Sequence, residues 1–439
     1  MCELMAKVID VQTFDVRFPT SKGLDGSDAM NQDPDYSAAY LRIITDQFGL
    51  HGDSLVFTIG RGNDVQIAAI KMLTQNLKGQ TVDHLFAHIG KVARELSGDS
   101  QIRWLGPDYG VFHMAAGAIL NALWDLFAKA QGVPLWKLLS DLTPEQIVDA
   151  IDFRYITDAL TREEALEILH RMNSQKAANE EILLAKGVPA YTTSPGWLGY
   201  IDEKMLELTK KAMADGFELI KYKCGKSIAD DQRRLHKIRE LVGPTFKIAI
   251  DANQVWDVDV AINWINSLKE YELHWVEEPT SPSDILGQAK IAAAVTPTKI
   301  ASGEMASSRI IFKQLLQSNA LSVMQIDATR VAGINENLAN ILMAAKFGVP
   351  VCPHAGGVGL CEMVQHLAMW DAVAVSGHHD SRVVEFVDHL HQHFLEPVLI
   401  KDGFYRAPQG AGSGAQMHQA SIDEYTFPSG SYWKNGDVS

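Results

Sequence analysis

The stretch Leu219-Ile220-Lys221-Tyr222-Lys223-Cys224 is a short apolar run broken by charge at alternate positions. It reads as a strand. Side chains alternate between the two faces of a strand, so Lys221 and Lys223 share one face and Tyr222 points to the other. Two runs of the same kind follow: Ile248-Ala249-Ile250 leading into Asp251, and Trp275-Val276 leading into Glu277. Further β-rich runs lie at 299–303, 323–328, 350–354 and 383–387, and one precedes them all at 148–156. Helical patterns fill the gaps, as at 230–242, 258–271, 308–318 and 335–347. Strands alternating with helices at about 30 residues per unit predict an α/β chain, a (β/α)8-type TIM barrel spanning 148–394.

The remaining chain reads differently. Residues 1–147 are mixed. Val8 to Val16 and Tyr40 to Thr45 alternate like half-buried strands, a turn-rich stretch covers 21–35, and small and apolar residues from 113 to 131 predict a buried helix. This predicts an α+β domain. The first interval inside the barrel is long, with an inserted segment at about 173–200. Thr161 and Glu164 form a capping box for the helix that follows the first predicted strand. Residues 395–439 hold no further barrel unit and are expected to return to the N-terminal domain.

Bulk properties exclude several classes. The 439 residues are 46% hydrophobic and 21% charged, with a formal net charge of −15. That charge repels nucleic acid and anionic membranes. No apolar run approaches the roughly 18–20 residues that cross a bilayer. The N-terminus lacks the pattern of a secretory signal. Cys2, Cys224, Cys352 and Cys361 are scattered and not paired as CxxC. A reduced, cytoplasmic protein is expected, without nucleic-acid or membrane partners.

The ends of the predicted strands carry the chemistry. In order they hold Lys221 and Lys223, Asp251, Glu277, Glu304, Asp327, His354 and Glu385. Catalytic groups of a barrel project from the carboxyl ends of its strands. A carboxylate buried there costs several kcal/mol unless it is paired or binds a metal. Asp251, Glu277 and Glu304 come from successive strands and offer only hard oxygen ligands, which favour Mg²⁺. Two ammonium groups on one face, beside a cation, are expected to lower a lysine pKa until it can accept a proton. Asp327 next to His354 fixes the imidazole tautomer. The Ala355-Gly356-Gly357-Val358-Gly359 run suits close approach of a ligand. Glu385, among apolar neighbours and other carboxylates, is expected to stay protonated and to donate to an oxyanion. His389, His391 and His393 read as surface or packing residues.

Lys-x-Lys, Asp-Ala-Asn, Glu-Glu-Pro, Gly-Glu, Asp, His and Glu at one-strand intervals resembles the mandelate racemase group of the enolase superfamily. Longer stretches at 15–21, 33–40, 151–158, 191–197, 278–282 and 352–362 resemble the L-fuconate dehydratases of that group. Tyr222 and Cys224 depart from the small aliphatics expected there. The resemblance implies a cap, formed by the N-terminal region and the C-terminal tail, that closes the barrel mouth. Its loop at about 22–36 would place Gly26, Ser27, Asp28 and Tyr36 against substrate. It also implies Mg²⁺ on Asp251, Glu277 and Glu304. Lys223 would remove the C2 proton, Lys221 steady the carboxylate, and Glu385 donate to the enediolate. His354, oriented by Asp327, would protonate the departing C3 hydroxyl, giving 2-keto-3-deoxy-L-fuconate. Lys221, Asn253, Glu304, His354 and Glu385 would touch the substrate, with L-galactonate or D-arabinonate as further substrates. A homo-oligomer is implied. The competing expectations are a dehydratase or racemase of another acid sugar, and a barrel that only binds.

Overall fold

The computed structural model describes residues 6–106, 108–377 and 382–434; Cys2 and the extreme N-terminus lie outside them. The N-terminal part begins with an antiparallel sheet of β1 (Val8–Arg17), β2 (Ser37–Thr45) and β3 (His51–Thr58). Its inward face packs on the helix Gly110–Gln131, in which every residue from His113 to Ala128 is buried. This helix is long and apolar enough to cross a bilayer, contrary to the expectation from apolar runs, but here its apolarity is spent on the core.

The barrel strands are β4 (Val188–Thr192), β5 (Leu219–Lys223), β6 (Lys247–Asp251), β7 (Trp275–Glu277), β8 (Lys299–Ser302), β9 (Val323–Met324) and β10 (Val384–Phe386). Neighbours from β4 to β9 pair in parallel and in sequence order, and β10 pairs with β4. Between β9 and β10, Val351 bridges Met324 and the Glu385 amide donates to Pro353 O at 3.0 Å. The domain is therefore barrel-type, with the 350–354 run reduced to a single bridge.

One expectation is corrected. The 148–156 run is not the first barrel strand. Pro144–Ala150 is a helix opened by a Thr143–Gln146 capping box, and turns follow it. The first strand is β4, inside the segment taken for an insertion. The Thr161–Glu164 capping box exists, but it opens the helix Arg162–Asn173, which precedes that strand.

The strand period builds two layers. Tyr191, Leu219, Ala249, Trp275, Ala301, Val323 and Cys352 point inward and form an apolar plug. Ile220, Tyr222, Ile248, Ile250, Val276 and Ile300 point outward into the helical layer. Tyr222 lies there, its hydroxyl 2.9 Å from Thr209 Oγ1, and Cys224 is buried in the same layer. The charged groups at the strand ends thus rest on an apolar floor.

The C-terminal tail touches both parts. β11 (Ile400–Lys401) and β12 (Phe404–Tyr405) extend the sheet antiparallel at β4. Beyond them Ser413 N donates to Asp125 Oδ1 at 2.6 Å, Thr426 bridges Val16, and Phe427 N donates to Asp15 O at 2.7 Å.

Candidate active site

Strand register brings the charges together. Lys223 pairs across from Asp251, and Asp251 across from Glu277. Glu304 follows β8, where Gly303 at φ +137° turns the chain close to Gln325. Ligand oxygens of Asp251, Glu277 and Glu304 lie within 4.8 Å of one another, and all three residues are buried. An octahedral Mg²⁺ holds oxygens on the order of 3–4 Å apart, so a small inward movement suffices. The donor set also fits a cation on a second count: Glu304 Oε2 is buried and accepts no hydrogen bond among the described residues.

The lysines are bound to these carboxylates. Lys223 Nζ lies 2.5 Å from Asp251 Oδ2. Lys221 Nζ bonds to Glu277 and lies 3.0 Å from Glu385 Oε1 and 3.5 Å from Asp251 Oδ2. Burial pulls both ammonium pKa values down, but the carboxylates outweigh it and hold both above the usual lysine range. This reverses the expectation of a lowered lysine pKa, because carboxylates in contact outweigh lysine–lysine repulsion. Asp251 is correspondingly held low: burial raises it, and Lys223 and Lys221 more than compensate.

His354 and Lys223 line the same cavity. His354 Nδ1 lies 2.7 Å from Asp327 Oδ2, while Nε2 lies 3.5 Å from Glu304 and 3.8 Å from Glu385. Burial lowers its pKa, but Glu304, the Asp327 hydrogen bond and Glu385 lift it to about 9. It is an imidazolium at neutral pH. Asp327 is fixed in turn by the Thr329 and Arg330 amides at 2.6 and 3.0 Å.

Glu385 overturns a further expectation. Burial raises its pKa, but Lys221, His354 and Lys223 hold it well below the usual carboxylate range. It is ionised and accepts hydrogen bonds from Ala355 N at 3.0 Å and from the Thr193 hydroxyl. A carboxylate ringed by cations has no reason to keep its proton.

A cavity of about 420 Å³ opens above this layer, lined by Gly26, Asp28, Tyr36, Lys223, Asn253 and His354 among others. Gly26, at φ +84°, lies so close to Tyr36 that a Cβ would strike the ring. Asp28 Oδ1 accepts from the Met30 and Asn31 amides at 2.7 and 2.6 Å. Asn253, at φ 45°, donates its amide to Asp251 Oδ1 at 2.9 Å, a strained backbone position at the rim. Ser27 stands apart from the cavity lining. Its hydroxyl donates to Leu24 O at 2.6 Å and accepts from Gly199 N at 3.0 Å, so it pins the cap loop to the barrel.

Two family models match the chain: the enolase C-terminal domain-like family over residues 204–421, and the mandelate racemase / muconate lactonizing enzyme N-terminal domain over residues 29–140. The crystal structure of human mitochondrial enolase superfamily member 1 superposes with a TM-score of 0.97, at 46% identity and 99% coverage of each chain. The chain belongs to the mandelate racemase/muconate lactonizing enzyme group of the enolase superfamily. It is also 50% identical over 419 residues to the L-galactonate dehydratase of Hypocrea jecorina, covering 94% of this chain and 92% of that one. The structure of L-talarate/galactarate dehydratase from Salmonella typhimurium, liganded with Mg and L-lyxarohydroxamate, matches with a TM-score of 0.73 at 26% identity, covering 96% and 92% of the two chains.

Within this enolase-superfamily site, sequence reasoning missed Thr193, Trp197 and Glu278. Thr193 and Trp197 follow β4, whose position was misread, and only the 191–197 stretch pointed to them. Trp197 walls the cavity with Lys223 Nζ 5.8 Å from its ring centre. Arg234 holds that loop through Gly196 O and Trp197 O at 3.2 and 3.3 Å. Glu278 is buried behind Glu277 and bonds to Gln254; burial, then Glu304, raises its pKa. The Glu-Glu-Pro motif was its signal.

Proposed function

We propose that this chain is a Mg²⁺-dependent acid-sugar dehydratase acting on acids of the L-galacto series, L-fuconate and L-galactonate. The observation that carries the reading is the placement of Lys223 and the Asp327-oriented His354 around one carboxylate triad. Support for the substrate class comes from relatives named as dehydratases of L-galactonate and of L-talarate/galactarate. L-Fuconate is the 6-deoxy form of L-galactonate, so both present the same C2–C5 hydroxyls. D-arabinonate is a shorter candidate of like configuration.

Asp251, Glu277 and Glu304 would hold the divalent cation, whose charge would offset the substrate carboxylate and the Asp251 charge that keeps Lys223 protonated. Lys223, once it has released its own proton to solvent, takes the C2 proton. Lys221 stays charged and steadies the substrate carboxylate. His354, already protonated, delivers its proton to the departing C3 hydroxyl, and Asp327 keeps the Nδ1 tautomer fixed. Glu385, being ionised, serves by anchoring Lys221 and His354. Gly26, Asp28, Tyr36 and Asn253 shape the sugar's seat. Loss of water leaves an enol that tautomerises to a 2-keto-3-deoxy acid. We also propose that the strands from β4 through Val351 to β10 form a closed (β/α)8 ring, capped by the N-terminal part and the C-terminal tail.

The test is incubation with each acid sugar and Mg²⁺, followed by semicarbazide detection of keto acid. EDTA should abolish the product and excess Mg²⁺ restore it. Epimerisation at C2 without keto acid, or binding without turnover, would overturn the dehydratase reading.

A further inference from the structure

Arg330 lines the cavity wall, and among the described residues its guanidinium meets no oxygen acceptor. Its Nη2 lies 2.9 Å from Met305 Sδ and its Nη1 3.8 Å from Met114 Sδ. A guanidinium has five donors and is suited to a carboxylate, whereas a thioether is a weak acceptor. Met114 comes from the cap helix Gly110–Gln131 and Met305 from the loop after β8, so Arg330 sits at the seam of cap and barrel. Its backbone amide bonds to Asp327 at 3.0 Å, and its charge helps hold the Asp327 carboxyl low. Arg61 lines the same cavity and makes no hydrogen bond or ion pair among the described residues. Among the described residues neither guanidinium has a carboxylate at ion-pair distance, Arg330 acting on Asp327 only at longer range, which stands out in a chain of net charge −15.

We propose that Arg330 is a specificity residue that reads the far end of the acid sugar, favouring a terminal carboxylate over a hydroxymethyl group, and that over a methyl group. This rests on the acid-sugar reading above. One carboxylate is taken at the triad and Lys221. The other end of a six-carbon chain extends along the cavity, where Arg330 offers a planar pair of donors now resting on sulfur. Exchanging thioether for carboxylate gains a charge-assisted, bidentate bond. The site then takes diacid sugars as well as monoacids.

L-Fuconate, L-galactonate and galactarate share their C2–C5 configuration and differ only at C6, which is methyl, hydroxymethyl and carboxylate. Calorimetric Kd values with Mg²⁺ present test the proposal independently of turnover, and kcat/KM values are read alongside. Wild-type protein should bind galactarate about tenfold or more tighter than L-fuconate, and Arg330→Met should erase that preference while L-fuconate affinity changes little. Arg330→Lys, which keeps the charge and loses the fork, should fall between. A wild-type protein with no preference for galactarate overturns the proposal, as does a preference that survives in both variants. Absence of keto acid from every sugar, with an Arg330-dependent binding preference intact, counts against dehydration and leaves this inference standing.

Discussion

Lys223 and His354 are both protonated in this structure, and that asymmetry of need defines what each substitution does. A base must lose its proton before it acts, and an acid must keep it. Lys223→Ala should remove C2 deuterium exchange from solvent and lower kcat by about 10²–10⁴, the usual worth of a positioned base. His354→Asn should retain exchange at C2 while forming little keto acid, since the C3 hydroxyl then leaves unassisted. Proton NMR in D2O separates the two, and equal loss of exchange in both variants would break the division of labour. His354 also sets the alkaline limb. Its pKa is raised by Glu304, the Asp327 hydrogen bond and Glu385; a cation on Glu304 would remove the first of these, so the limb of the Mg²⁺ enzyme should lie below about 9. Asp327→Asn removes one of the groups that raise it, so the alkaline limb of kcat should move to lower pH. A limb that stays in place would mean that His354 is not the titrating acid.

At the scale of elements, β5 and β6 were legible because they alternate cleanly, and their register then dictated which charges meet. The 219–224 and 248–251 runs differ from the observed strands by one residue at most. The first barrel strand was not legible. Val188–Thr192 is five residues long with Pro189 at its second position, and proline inside a short run argues against a strand. Pro189 opposes Phe404 of β12, and the ladder bond there comes from the next residue, Ala190 N to Gly403 O at 2.8 Å, so no proline N–H is needed. The competing run at 148–156 is equally apolar, but the Thr143–Gln146 box commits its first part to a helix. Local capping outweighed apolar content there. The ionisation of Glu385 was illegible for a related reason, since it depends on three cations brought from other strands. Capping makes a prediction of its own. Thr161 accepts from Glu164 N, and Glu164 reaches back to Thr161 N at 2.8 Å. Thr161→Ala should cost about 1 kcal/mol, read from the urea midpoint, with kcat/KM unchanged because the helix lies outside the cavity lining.

Across the whole molecule, the cap and barrel are joined by buried charge, and Glu336 is the centre of that joint. It sits in the first turn of the barrel helix Gly333–Phe347, which packs on the cap helix Gly110–Gln131. Its Oε2 lies 2.7 Å from His113 Nε2 on that cap helix, and its Oε1 lies 3.0 Å from Arg309 Nη1. The Arg309 and Ala332 amides complete its shell at 2.8 and 2.6 Å. Burial raises the Glu336 pKa, but His113 and Arg309 bring it from 4.5 down to about 2. A carboxylate lowered on folding adds stability that is complete above its unfolded value of 4.5 and is lost as pH falls through about 2. A drop of that size is worth on the order of 3 kcal/mol. Glu336→Gln should therefore lower the urea-unfolding free energy by about that amount at pH 7, and the gap to wild type should close progressively between pH 4.5 and 2. A gap that stays constant over that window would mean that the variant harms packing, and that the charge does not hold the two domains together.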